Sequence, residues 1–147
     1  MTKKRTGEPW MSGAAYGRAL RGLTVNLLVR DVARAVTFQT EVLGAELVYA
    51  DVDFAVLSAA GSEWMLHADH TYDGHPMRPE LTPEGRRGTG LEIRLHGVDP
   101  DAAERRARSR GDTVLEAATD KGHGLREAFI RDAEGYIWVP DRPTTDG

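Results

Sequence analysis

Apolar and polar residues alternate over residues 23–30. Leu23, Val25, Leu27 and Val29 fall on one face and Thr24, Asn26, Leu28 and Arg30 on the other, the period of two that marks a strand. Asp31 follows as a helix N-cap, because its carboxylate can accept from the first exposed amides. Val32, Ala35, Val36, Phe38, Val42 and Leu43 then recur at helical spacing, and Gly44 stands where a left-handed C-cap ends the helix. Three short strand-like segments complete the unit near 45–50, 53–59 and 62–68, broken at Asp51-Val52-Asp53 and Ala60-Gly61-Ser62.

The same grammar returns from Leu91. Leu91 to His96 reads as a strand, Asp99-Pro100 as a cap with proline at the first helical position, and Gly111 as the helix stop. Strands near 112–117, 126–131 and 135–140 follow, the last two joined by a tight turn at Asp132-Ala133-Glu134-Gly135. Two copies are too few for a solenoid, which stacks at least three repeats. The pattern therefore predicts an α+β fold of two βαβββ modules sharing one mixed β-sheet with a cleft between them.

Residues 1–21 mix Gly, Ser, Pro and charge and read as an irregular arm; Trp10, Met11, Tyr16 and Leu20 predict that part of it packs on the domain or on a second subunit. The domain spans 22–142, with module 1 about 22–68, a linker 69–88, module 2 about 89–142 and a polar tail 143–147. A linker of that length in a compact domain is often functional or mobile. The arginines at 105, 106, 108 and 110 read as a solvated face that complements the helix dipole.

A length of 147 residues favours one domain, and 40% apolar with 29% charged residues is ordinary for a globular protein able to build a core without staples. The absence of cysteine excludes disulfides, thiolate metal sites and a Cys nucleophile. No apolar run reaches the roughly 20 residues of a membrane span, and the basic start lacks a signal-peptide core, so the expectation is a cytoplasmic protein without a membrane partner. A net charge of -4 gives no reason to expect nucleic acid. Gly85-Arg86-Arg87-Gly88 lacks the lysine and preceding strand of a phosphate loop, leaving Arg86 and Arg87 as an anion contact at most.

The doubled βαβββ layout, the segment Val29 to Gly44, and Asp132-Ala133-Glu134-Gly135-Tyr136-Ile137-Trp138 together resemble the vicinal oxygen chelate superfamily, over about residues 22–142. That family includes glyoxalase I, extradiol dioxygenases, fosfomycin-resistance enzymes and bleomycin-resistance binding proteins. The resemblance implies a cupped barrel, usually in dimers, hence a homodimer here. It also implies a divalent metal held by four strand positions, which fall here on Thr24, Met65, Glu92 and Val139. Only Glu92 is a competent ligand, since neutral hydroxyl, thioether and isopropyl groups do not hold a hard or borderline divalent ion against water.

Alternation places Thr24, Asn26, Met65, His67, Glu92, Arg94 and Val139 on the cup face, a mixed lining suited to an organic ligand. Trp64 and Trp138, at matching places in the two modules, are expected to face the helices. The expected function is bleomycin-resistance-like binding of a small organic molecule, without metal or other cofactor. Glu92 is the one candidate catalytic group, as a general base if burial raises its pKa.

A rival reading rests on His67-Ala68-Asp69-His70-Thr71-Tyr72-Asp73-Gly74-His75, which concentrates imidazoles and carboxylates. A two-residue register slip would bring His67 beside Glu92, with His123 completing a displaced site for Zn, Fe, Mn or Ni. On that reading the protein is a metal-dependent lyase, isomerase or dioxygenase of the same superfamily.

Overall fold

The computed structural model describes residues 2–145; Met1 of the predicted arm and Asp146 and Gly147 of the predicted tail lie outside the described residues. Module 1 comprises β1 (Asn26–Val29), α2 (Val32–Glu41), β2 (Glu46–Ala50), β3 (Phe54–Ala59) and β4 (Ser62–Ala68), preceded by a short α1 (Gly13–Ala19). Module 2 comprises β5 (Glu92–His96), α3 (Pro100–Arg110), β6 (Thr113–Asp120), β7 (Leu125–Arg131) and β8 (Ile137–Pro143). Each module builds its own four-stranded sheet, in the orders β1-β4-β3-β2 and β5-β8-β7-β6, where a single shared sheet was expected. The first strand pairs parallel with the fourth and the rest of each sheet is antiparallel, so both sheets are mixed.

The repeat extends to register. Asn26 lies opposite Met65 in module 1, and Arg94 opposite Val139 in module 2. Sequence caps behave as their chemistry dictates: Asp31 accepts from the amide of Arg34, and Asp99 from those of Asp101 and Ala102. Gly111 takes the left-handed conformation that ends α3. In module 1 the helix stops at Glu41, and the left-handed Gly44 follows after an extra irregular turn.

Leu27, Val29, Trp64 and Leu66 turn to the helix side and join Ile130 and Trp138 in one buried cluster with Phe38, Val42 and Ala103. Both tryptophans lie on the helix side, and there they meet at 5.6 Å between ring centroids. Their indole N–H groups are satisfied by Gln39 and Asp132 respectively.

Three expectations are corrected. The arm is not wholly irregular: Ser12 caps α1, and tertiary packing holds it helical although Gly13 and Gly17 weaken the local propensity. The domain does not give way to tail at 143, because β8 runs to Pro143, with Asp141 fully buried within it. The α3 arginines are not merely solvated: Arg106 donates to the Val42 carbonyl, and Arg110 pairs with Glu41 at 2.6 Å, fastening α3 to the end of α2.

A second fastening lies at the linker. Arg87 is buried and grips both oxygens of Asp69 at 2.7 Å while donating to the Leu28 carbonyl. Glu134, in the last hairpin, accepts from the Arg30 amide and guanidinium at 2.8 Å, and Tyr136 donates its hydroxyl to Leu28. Arg87 is thus a structural group rather than an anion contact.

The hairpin leaves no room at Gly135, whose φ is 113°; a Cβ there would meet the Arg87 nitrogen at 2.6 Å and Arg86 Cα at 2.7 Å. Gly61 has φ 81° with open space around it. Gly135→Ala is expected to lower unfolding free energy by about 3 kcal/mol and Gly61→Ala by about 1 kcal/mol. Equal losses in urea denaturation would count against the fastening at Arg87.

Candidate functional site

The arm lies across the open face of the module 1 sheet. Trp10 stacks on Tyr49 with centroids 4.6 Å apart and rings 18° from parallel, and sits over Phe54 at 6.1 Å. Tyr16, from α1, meets Phe54 edge-on at 5.8 Å and donates its hydroxyl to Glu63. Burial and that carboxylate push the Tyr16 pKa up to about 12. Trp10 and Tyr16 of the arm therefore find ring partners within the same chain, while Trp10 and Met11 remain partly exposed.

The arm's end is held by Asp53. This nearly fully buried carboxylate accepts from the amides of Lys4 and Arg5 at 2.9–3.1 Å and faces His70 Nε2 at 2.6 Å. Burial works to raise its pKa, but His70 and the two amides outweigh it and hold Asp53 below its ordinary value of 3.8.

Between arm and sheet is a cavity of about 350 Å³. Its walls include Trp10, Met11, Tyr16, Leu20, Phe54 and Met65, with Lys3, Arg5, Asp51, Asp53 and His67 among the polar contributors. At its floor His67 Nδ1 meets Asn26 Oδ1 at 2.6 Å, and Asn26 Nδ2 donates to the Tyr72 hydroxyl at 2.9 Å. That network assigns the imidazole proton to Nδ1, leaving Nε2 an acceptor. Burial lowers the His67 pKa against a smaller opposing pull from Asp51, so the ring is neutral at pH 7.

Of the sequence candidates, Met65 and His67 line this cavity, and Asn26 adjoins it through His67. Thr24 precedes β1 and is partly buried. Glu92, Arg94 and Val139 belong to the other sheet and do not line the cavity, which is walled by the arm and module 1 rather than lying between the modules. There Arg94 bonds Glu92 at 2.9 Å, Glu127, and Asp141 at 3.2 Å, while His96 and His123 approach Asp141 and Glu127. Glu92 is half exposed, so the burial that a general-base role requires is missing. Val139 is fully buried.

The displaced set is likewise not assembled within this chain. His67 is engaged by Asn26 in module 1, whereas Glu92 and His123 attach to the Arg94 cluster in module 2. Among the described residues no three His, Asp or Glu side chains converge on a common metal position. His70 serves Asp53 and His75 packs against Tyr72, neither standing beside His67 as a co-ligand.

Sequence reading missed Phe54, Tyr72, Asp53 and Arg5. Phe54 was findable: it lies opposite His67 and two residues before Val56, so period-two alternation puts it on the cup face. Arg5 and Asp53 carried no such signal, because their meeting depends on how the arm folds back.

A model of the Glyoxalase/Bleomycin resistance protein/Dioxygenase superfamily matches residues 23–139. Among solved structures, a glyoxalase/bleomycin resistance protein/dioxygenase family enzyme from Burkholderia phytofirmans PsJN superposes with TM-score 0.67 at 16% identity, covering 82% of this chain and 97% of its own. TioX from Micromonospora sp. ML1 gives 0.60 at 25% identity, covering 84% and 99%. A glyoxalase/bleomycin resistance protein/dioxygenase from Nocardioides gives 0.63 at 20%, covering 91% and 93%. No curated protein matches the sequence. Among the described residues no helix is long and apolar enough to cross a membrane.

The Asp53 fastening carries a pH signature. A carboxylate with a depressed folded-state pKa stabilises the closed arm above its unfolded value, and that contribution fades as pH falls below about 3.8 through the lower folded value. Asp53→Asn is expected to remove this dependence and to raise tryptic cleavage after Arg18 and Arg21 at neutral pH roughly tenfold, corresponding to about 1.4 kcal/mol. Unchanged cleavage would mean that the aromatic contacts alone hold the arm.

Proposed function

The chain belongs to the Glyoxalase/Bleomycin resistance protein/Dioxygenase superfamily, and on that premise we propose that it binds a small organic molecule in the cavity beneath its arm, without the family's usual metal site. The observation that carries this reading is the cavity itself. Its volume of about 350 Å³ lies within the roughly 300–1,000 Å³ range of small-molecule sites, and its aromatic and aliphatic walls carry a few placed polar groups. Apolar walls supply affinity, while His67 and the arm's cations orient the guest.

The donor chemistry of the four family positions supports the metal-free part. Thr24, Met65 and Val139 do not fit a hard or borderline divalent ion, and the remaining carboxylate, Glu92, is already paired with Arg94. Elemental analysis of protein purified without chelator is expected to find no stoichiometric Zn, Fe, Mn or Ni. A stoichiometric ion lost in Glu92→Gln or His67→Ala would overturn this reading in favour of the metal-dependent lyase, isomerase or dioxygenase alternative. In a screen of small organic molecules read by tryptophan fluorescence, binders are expected to weaken roughly tenfold or more in Phe54→Ala, whose lost ring removes one wall.

The same proposal includes a homodimer. β1 and β5 each stand at an outer edge of their sheets, and the leucines that lead into them, Leu23 and Leu91, are exposed at 94% and 46%. Unpaired edges flanked by exposed leucine favour association with a second copy. Sedimentation is expected to give twice the 16.1 kDa chain mass, and a clean monomer at micromolar concentration would remove this part.

A further inference from the structure

The unused hydrogen-bonding capacity of the cavity indicates what kind of molecule it takes, granted that the cavity is the binding site proposed above. Its lining carries two carboxylates and two cations, so formal charge alone decides nothing. The carboxylates are spent. Asp53 accepts from two amides and faces His70, while Asp51 accepts from the amides of Asp53 and Phe54 through one oxygen and from the Tyr49 hydroxyl through the other. The cations have no such partner: among the described residues, neither the Lys3 ammonium nor the Arg5 guanidinium has a hydrogen bond or an ion pair, and Arg5 acts only through space on the Tyr49 hydroxyl.

Shape adds a second constraint. Trp10 and Phe54 lie within 22° of parallel, and His67 lies 4.8 Å from Phe54, so much of the cavity wall is built of aromatic rings. Aromatic faces of this kind favour a planar ring stacked with offset or met edge-on. A volume near the lower end of the small-molecule range admits one or two fused rings. His67 Nε2, with no protein partner among the described residues, presents a lone pair to a donor on that ring.

We propose that the ligand is a small planar aromatic acid that sets its anionic group against Arg5 and Lys3 and a ring O–H or N–H against His67. A guanidinium can take a carboxylate through two parallel hydrogen bonds, which fixes the ring's orientation as well as its charge. The arm then recognises the acid and covers the ring at once.

A matched series tests this: a hydroxynaphthoate, its primary carboxamide and the corresponding aminomethyl cation, titrated by tryptophan fluorescence and calorimetry. The acid is expected to bind at least tenfold more tightly than the amide, about 1.4 kcal/mol, and the cation most weakly. Arg5→Gln, which keeps the amide that Asp53 holds, is expected to bring acid and amide within about twofold, and Arg18→Gln, outside the cavity, to leave the ratio as it was. Equal binding of acid and amide, or a preference for the cation, overturns the inference; if that binding is still weakened by Phe54→Ala, the cavity remains the binding site. Failure of all three probes at millimolar concentration also overturns the aromatic-acid inference, while the wider screen of organic molecules then decides on the cavity itself.

Discussion

The position of the linker, the end of β1 and the last hairpin all depend on one buried cation, Arg87. Its guanidinium holds both oxygens of Asp69 and the Leu28 carbonyl, while its backbone amide donates to the Glu134 carbonyl. Glu134 in turn takes Arg30, so a residue from the linker joins groups from both modules. A charge taken out of water is tolerated only when its partners are in place, which makes the arrangement close to all-or-none. Gly88 and Gly135 follow from it: a Cβ at Gly88 would strike the Tyr136 ring at 2.5 Å, and one at Gly135 would strike the Arg87 backbone. With the linker fixed at Asp69, the turn Asp69–Tyr72 can present His70 to Asp53 and Tyr72 to Asn26, which sets the cavity floor.

The two modules share a backbone plan and diverge in what they put on it. At matched positions, module 1 has Asn26 beside Met65 and module 2 has Arg94 beside Val139. In the first pair Met65 lines an aromatic cavity that Asn26 adjoins through His67, while the second sits in a compensated cluster in which Glu127 and Asp141 are buried around Arg94. Burial works against the charges of both Arg94 and Glu127, yet their mutual contact raises the arginine pKa and lowers the glutamate's. Module 2 has thus spent its polar groups on itself, whereas the cavity between module 1 and the arm keeps, among the described residues, the Lys3 and Arg5 cations and the His67 Nε2 without a hydrogen-bond partner.

Most of the fold was legible because local chemistry and tertiary outcome agree. Period-two alternation placed Leu27, Val29, Trp64 and Trp138 on the helix side, and Asp31, Asp99 and Gly111 did what caps do. Legibility failed where long-range contact overrides local preference. The glycines of α1 argue against a helix, but Trp10 and Tyr16 docking on Tyr49 and Phe54 stabilises it. Asp141 carries no signal of burial in the sequence, and only Arg94 and His96, brought to it from β5, account for it. The cavity was half visible: Asn26, Met65 and His67 follow from alternation, while Lys3, Arg5 and Trp10 enter only once the arm has folded back.

The way the arm is fastened separates two tasks that many binding loops confuse. Asp53 grips the main chain of Lys4 and Arg5, not their side chains. Any residue but proline at those positions offers the same N–H groups. The side chains at 3 and 5 are therefore open to replacement without unfastening the arm, and a chain of this design can drift from one guest to another by changing two surface residues while its closure stays written in the backbone.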